Sequence, residues 1–302
     1  MKFLIIGTGG VGGCLGGFLA ASGEDVTLIA RGAHLEAMRT QGLRLHTGCR
    51  GELWVEHPQA AEMDAYHGVP DVVFVCVKGY SLEAAERLIA RVATPRTLII
   101  PILNVVGTGG AMSERLPGLH ILDGCVYIVS QITAPGEITQ SGRTFRVVYG
   151  ERDGSHPAIL DEVAAVLRRC GMGVTVSEQI RRDCMEKFAC VSPMAAAGAY
   201  YGVPMGKLRA DPAMRADYAG LVGEVIALTA AMGLPFEGDV LEDNIRRLDG
   251  YAPDATASMQ RDLNRGGDSE IDGLVFEPVR LGRQYHVPTP LYAKMARKFG
   301  FE

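Results

Sequence analysis

Short β-rich runs alternate with helical patterns through the first half of the chain. Phe3–Ile6, Val26–Ala30, the fully apolar Val72–Val77, and Leu98–Ile102 predict strands. Gly10–Ser22, rich in small residues, His34–Thr40 and Ser81–Val92 predict the helices among them. That alternation is the mark of βαβ units and a parallel sheet. Leu43–His46 and Leu53–Val55 predict a strand pair or a third strand with an excursion. Ile121–Val129 is expected to continue the sheet, and Glu137–Gln140 with Thr144–Tyr149 to form a hairpin around Ser141-Gly142-Arg143. Asp161–Arg169 then predicts a helix and Gly173–Val176 a last strand.

After Ser177 strand-like runs almost vanish and long helical patterns continue to the end. The expectation is a doubly wound α/β domain over 1–177 and an all-helical domain over 178–302. A chain of 302 residues can bury two cores. With 47% hydrophobic and 22% charged residues it reads as an ordinary globular protein.

Charge narrows the functional classes. The formal net charge is −5, so nothing global attracts nucleic acid or an anionic membrane. Any anion must be held by locally placed Lys, Arg and backbone N–H groups. The seven cysteines are odd in number and scattered, without a Cys-x-x-Cys pair. That argues against a disulfide framework or structural zinc and for reduced thiols in the cytoplasm. Phe3-Leu4-Ile5-Ile6 stops too soon for the roughly 7–15 apolar residues of a signal peptide. No run approaches the roughly 18 apolar residues of a membrane span.

Gly7-Thr8-Gly9-Gly10-Val11-Gly12 fits G-x-G-x-x-G, set between a predicted strand and a predicted helix. In that context it predicts a Rossmann-type dinucleotide site. Gly7 permits the tight turn, Gly9 lets backbone approach the pyrophosphate, and Gly12 allows helix to pack on strand. The helix N-terminus then faces the phosphates. After the second strand the chain reads Leu28-Ile29-Ala30-Arg31, with no acid at its tip. A carboxylate there would bind the ribose hydroxyls of NAD, whereas a guanidinium can pair with a 2′-phosphate. NADPH is therefore the expected cofactor, although a solvated surface arginine would look the same. Lys78 and Asn104 also follow predicted strands and are expected at the same carboxyl-end crevice. A lysine ending a strand can equally be a solubilising cap.

Arg181-Arg182-Asp183-Cys184-Met185-Glu186-Lys187-Phe188 opens the first long helix of the second half. With Gly7–Gly12, Arg31, Val77-Lys78-Gly79-Tyr80 and Asn104, this segment makes the chain resemble the ketopantoate reductase (2-dehydropantoate 2-reductase) family. Ser258-Met259-Gln260-Arg261-Asp262 and Glu270-Ile271-Asp272-Gly273 extend the resemblance over essentially the whole chain. It implies hydride transfer from NADPH to the carbonyl of a 2-keto acid, with Lys187 and Glu270 as catalytic residues. Lys187 would protonate the nascent alkoxide, a role that suits an ammonium group. Glu270 would orient substrate, cofactor ribose or Lys187. Ser258 would meet the substrate carboxylate, and Asn104 would contact both cofactor and substrate. On spacing alone, Lys187 could instead pair with Asp183 one turn earlier, and Glu270 could be a helix-terminal acid.

The chain departs from the family where asparagines are usual: Val191, Ala195 and Met205 stand in their places, and Val105 replaces the glycine after Asn104. Three readings stay open: a 2-keto acid reductase, an opine- or hydroxyacid-type dehydrogenase with a more apolar substrate, and a non-catalytic NADPH-binding regulator. The implied partner is a small-molecule 2-keto acid, without nucleic acid, membrane or metal, and with a homodimer left open.

Overall fold

Apolar runs with no polar interruption make central strands, because a parallel sheet covered by helices has no wet face. The computed structural model describes residues 1–302 and divides into two units, Met1–Leu103 with Gly107–Ile180, and Asn104–Val106 with Arg181–Glu302. The first unit runs β1 (Lys2–Ile6), α1 (Gly10–Ala21), β2 (Asp25–Ile29), α2 (Gly32–Gln41), β3 (Leu43–Thr47) and β4 (Gly51–Val55). It continues through β5 (Gln59–Ala61), β6 (Val72–Val75), α3 (Leu82–Val92), β7 (Leu98–Pro101), α4 (Thr108–Arg115) and β8 (His120–Ile121). β9 (Asp123–Ala134), β10 (Glu137–Gly150), α5 (Ala158–Arg169) and β11 (Gly173–Val176) complete it.

Six parallel strands form one sheet in the order β5-β2-β1-β6-β7-β8. Phe3 and Ile5 of β1 join the core that contains α1, while Leu4 and Ile6 join the opposite one with Leu88 and Ile89 of α3. A second sheet has the order β11-β10-β3-β4, with β9 antiparallel to β10. Helix α1 packs against both sheets. A Cβ on Gly16 would strike Leu28 of β2, and one on Gly17 would strike Leu45 of β3. Glycine costs about 1 kcal/mol relative to alanine inside a helix. Full burial of Leu15, Phe18 and Leu19 offsets that at roughly 1.5–3 kcal/mol each.

Two expectations fail here. Ile121–Val129 is not one strand: His120–Ile121 closes the first sheet, and Asp123–Ala134 belongs to the second. Ser141-Gly142-Arg143 is not a hairpin turn, for β10 runs through it with a register shift against β9 between Ser141 and Arg146. Buried Gln140 explains the difference. Its Nε2 donates to the carbonyls of Ser141, Gly142 and Thr144, and its Oε1 accepts from Gly48 N at 3.0 Å. Those bonds satisfy the backbone of an irregular strand, so the chain need not reverse. Reversal occurs instead where Pro135 and Gly136 separate β9 from β10. Of the two readings for Leu43–Val55, the strand pair holds, as the antiparallel hairpin β3–β4.

The second unit is helical: α6 (Ile180–Tyr201), α7 (Met205–Ala210), α8 (Pro212–Ala231), α9 (Val240–Gly250) and α10 (Ser258–Asn264). A π-helical turn (Asp272–Phe276), α11 (Glu277–Tyr285) and α12 (Pro290–Lys298) follow. Asp211 caps α8 by accepting from Ala213 N and Met214 N, with Pro212 at the first helical position. Glu224 of α8 accepts from Leu291 N and Tyr292 N at 2.7 and 3.0 Å, seating the start of α12 on the core. No helix is long and apolar enough to cross a membrane.

His34 joins α2 to the turn after β9, its Nδ1 accepting from Gly136 N at 3.0 Å. That bond requires a proton on Nε2 and a neutral ring. Burial holds the imidazole below its ordinary value, with a backbone interaction at Thr8 opposing the shift. The stabilisation is therefore fully present above the unfolded value near ~6.5 and is lost as pH falls from there through the lower folded value. Thermal unfolding from pH 8 to 5 should show a fall in Tm below pH 6.5 that is shallower in His34→Asn. Equal slopes in the two proteins would refute this.

Candidate active site

In an open parallel sheet ligands gather where the strand order reverses. Here that point lies at the carboxyl ends of β1 and β6, since β2 and β5 lie on one side and β7 and β8 on the other. Gly7 leaves β1 at φ +99°, and a Cβ there would lie 2.8 Å from Val77 N, so no side chain fits the turn. A Cβ on Gly12 would overlap the Gly7 carbonyl oxygen and come 2.9 Å from Cys76 Cβ. Gly9 is the N-cap of α1, and a Cβ on it would meet nothing within 4 Å. Thr8 is pinned by its N and Oγ1, both donating to Ile29 O at 2.9 Å. Gly10 and Val11 open α1, whose first-turn N–H groups have no intrahelical partner.

Arg31 follows β2 as the N-cap of α2 and is exposed. Lys78 follows β6, half-buried, at the start of the short 3-10 turn Gly79–Ser81. The first unit thus collects Gly7–Gly12, Arg31 and Lys78 at the ends of three neighbouring strands. Open backbone, a helix N-terminus and a cationic side chain, with no carboxylate at the end of β2, are the donor set a phosphorylated dinucleotide requires. Burial pushes the Cys14 thiol up to about 12 and the Cys76 thiol higher still. Both sulfurs behind the turn are protonated packing groups at neutral pH.

Asn104, Lys187, Ser258 and Glu270 all belong to the second unit. Lys187 sits half-buried in the second turn of α6, and Ser258 is the first residue of α10. Glu270 is buried, 4% exposed, and stands just before its helix begins, its carbonyl accepting from Leu274 N at 2.9 Å. Each polar residue has apolar neighbours in the same hydrophobic core: Val106, Phe188, Met259 and Ile271. That core locates the four. Where the resemblance implies asparagines, Ala195 and Met205 are fully buried and Val191 is half-buried against the same core.

Sequence reasoning missed His34, which lies against the Thr8 backbone, and Ser130, whose carbonyl packs on Gly10. His34 carried a faint signal, lying three residues beyond Arg31. Ser130 carried none, because only the second sheet brings it there.

A doubly wound, glycine-turn sheet with a helical second unit defines a dinucleotide-binding oxidoreductase fold. The profile described as "Ketopantoate reductase PanE/ApbA" matches residues 3–154, and "Ketopantoate reductase PanE/ApbA C terminal" matches residues 179–299. The chain belongs to the ketopantoate reductase family. A 2-dehydropantoate 2-reductase of Mesorhizobium japonicum is 30% identical, over 96% of this chain and 94% of its own. A PanE/ApbA family ketopantoate reductase of Ralstonia eutropha superposes with TM-score 0.87 at 27% identity, covering 98% of this chain and 96% of its own. A D-mandelate dehydrogenase solved with NADH and anilino(oxo)acetate shares the fold, with TM-score 0.88 at 22% identity, covering 98% and 96%.

Arg31 should decide cofactor choice. NADPH should bind more tightly than NADH, and Arg31→Asp should cost about 1.5–3 kcal/mol of NADPH affinity, the value of a charge-assisted phosphate contact. Titration calorimetry with both cofactors measures this. Equal affinity of the parent protein for the two would sink it.

Proposed function

We propose that this protein reduces a 2-keto acid to the 2-hydroxy acid with NADPH. The observation that carries the reading is the glycine turn, closed to side chains at Gly7 and Gly12, in a chain of the ketopantoate reductase family. When bound, NADPH supplies the hydride. Gly9, Gly10 and Val11 present backbone to its pyrophosphate, Arg31 takes the 2′-phosphate, and Lys78 adds positive charge at the same strand ends. Lys187 delivers a proton from Nζ to the carbonyl oxygen as negative charge gathers there. Ser258, the first residue of α10, presents its hydroxyl to the substrate carboxylate. Glu270 orients substrate, the cofactor ribose or Lys187, and Asn104 contacts cofactor and substrate. A cytoplasmic enzyme accords with seven unpaired cysteines.

The substrate we propose is more apolar than ketopantoate. Ala195 and Met205 are packed into the core and Val191 lies against it, so none of the three can replace an asparagine's hydrogen bonds. A site built on polar contacts loses discrimination when those partners vanish. A role in pantothenate synthesis would require ketopantoate itself to be the best substrate.

Lys187→Ala should lower kcat by roughly 10²–10⁴ with NADPH binding intact. Near-parental turnover would return Lys187 to the role of a helix-surface residue. NADPH absorbance followed across a panel of 2-keto acids should give an apolar-chain acid a higher kcat/KM than ketopantoate. Saturable ketopantoate reduction exceeding every apolar analogue would restore the family's usual substrate. Cofactor binding without turnover of any member would favour a regulatory protein.

A further inference from the structure

The helix that follows Glu270 opens with a π turn, Asp272–Phe276, before it settles into α11. Such wide turns leave backbone groups out of the regular ladder and recur at functional sites. Two contacts converge on this one. At Gly273 a Cβ would lie 2.5 Å from Val105 Cγ2 and 2.7 Å from Val105 Cγ1, so the branched side chain of Val105 occupies the space a residue-273 side chain would need. At the next residue, fully buried Ser192 of α6 donates to the Leu274 carbonyl at 2.7 Å and meets Tyr292 OH at 2.5 Å. Val105 adjoins Asn104. Ser192 lies five residues beyond Lys187 on the same helix, next to Pro193, which removes one of that helix's own hydrogen bonds.

We infer that the π turn is the positioning element of the catalytic half. Val105 seated on Gly273 sets Asn104 relative to Glu270, and Ser192 bonded to Leu274 sets the Lys187 helix relative to the same turn. Val105 and Gly273 are positioning residues, and each needs the other. A glycine at 105 would leave the turn unfilled, and any side chain at 273 would expel the valine. The inference rests on the proposed reductase reading for its kinetic test but not for its structural one.

Gly273 does not have positive φ, so helix propensity by itself favours alanine there. A Cβ pressed against Val105 predicts the opposite. In the full chain, Gly273→Ala should lower kcat/KM for the best keto acid roughly 10- to 100-fold, the scale of a misplaced catalytic group. Adding Val105→Ala should recover most of that loss, which no general weakening of the fold would do. Val105→Ala alone should loosen residues 104–106, raising their amide hydrogen exchange whether or not turnover is detectable. Gly273→Ala with kcat/KM within about twofold of the parent, beside an inactive Lys187→Ala, overturns the positioning role and leaves the reductase reading standing. A double variant no better than Gly273→Ala overturns it too, as does unchanged exchange at 104–106 in Val105→Ala.

Discussion

Helix α1 can lie against two sheets at once only because glycines occupy the faces it turns to them. Gly16 meets Leu28 of one sheet and Gly17 meets Leu45 of the other, with no room for a Cβ at either. The same closeness at Gly12 brings the start of α1 onto the Gly7 carbonyl, at the point where the strand order reverses. Packing and ligand chemistry thus share one constraint. A side chain at Gly12 would push the helix away and carry its first-turn N–H groups off the switch point. The helical cost of those glycines is the counterpart of the cofactor site.

The second unit solves a different problem. Asn104, Lys187 and Ser258 are half-buried, and half-buried side chains have rotamer freedom to lose. Their neighbours are held by one core: Phe188 and Met259 are buried in it, and Ile271 and Val106 pack against it. Ala195 and Met205 are part of that core, and Val191 lies against it.

A protein of net charge −5 that binds a phosphorylated cofactor must do so by local placement, because its overall field repels anions. Under the proposed reading, Arg31 and the N-terminus of α1 would be local devices of that kind, effective within a few ångströms and indifferent to the remaining surface. Cys76 packs behind the glycine turn and Cys14 lies within α1, yet burial keeps both thiols protonated, so the turn gains packing without thiolate reactivity.

Period and punctuation in the sequence were enough for the parallel sheet, the glycine turn, the cationic end of β2 and the change to helices after Ser177, because each is a local pattern with a local cause. Strands such as Val72–Val75 announce themselves by unbroken apolarity, and Gly7 by the turn it must make. Local pattern could not show that Asp123–Ala134 leaves the first sheet, since strand propensity says nothing about which neighbour a strand will pair with. Nor could it show that Gln140 holds β10 straight through Ser141-Gly142-Arg143, where turn residues argue for a reversal. Val105 looked like the wrong residue for its place. Its complement, Gly273, lies far along the chain, and only the folded second unit brings the two together. Which side chain fills which gap is a property of contacts distant in sequence, and tertiary packing alone decides it.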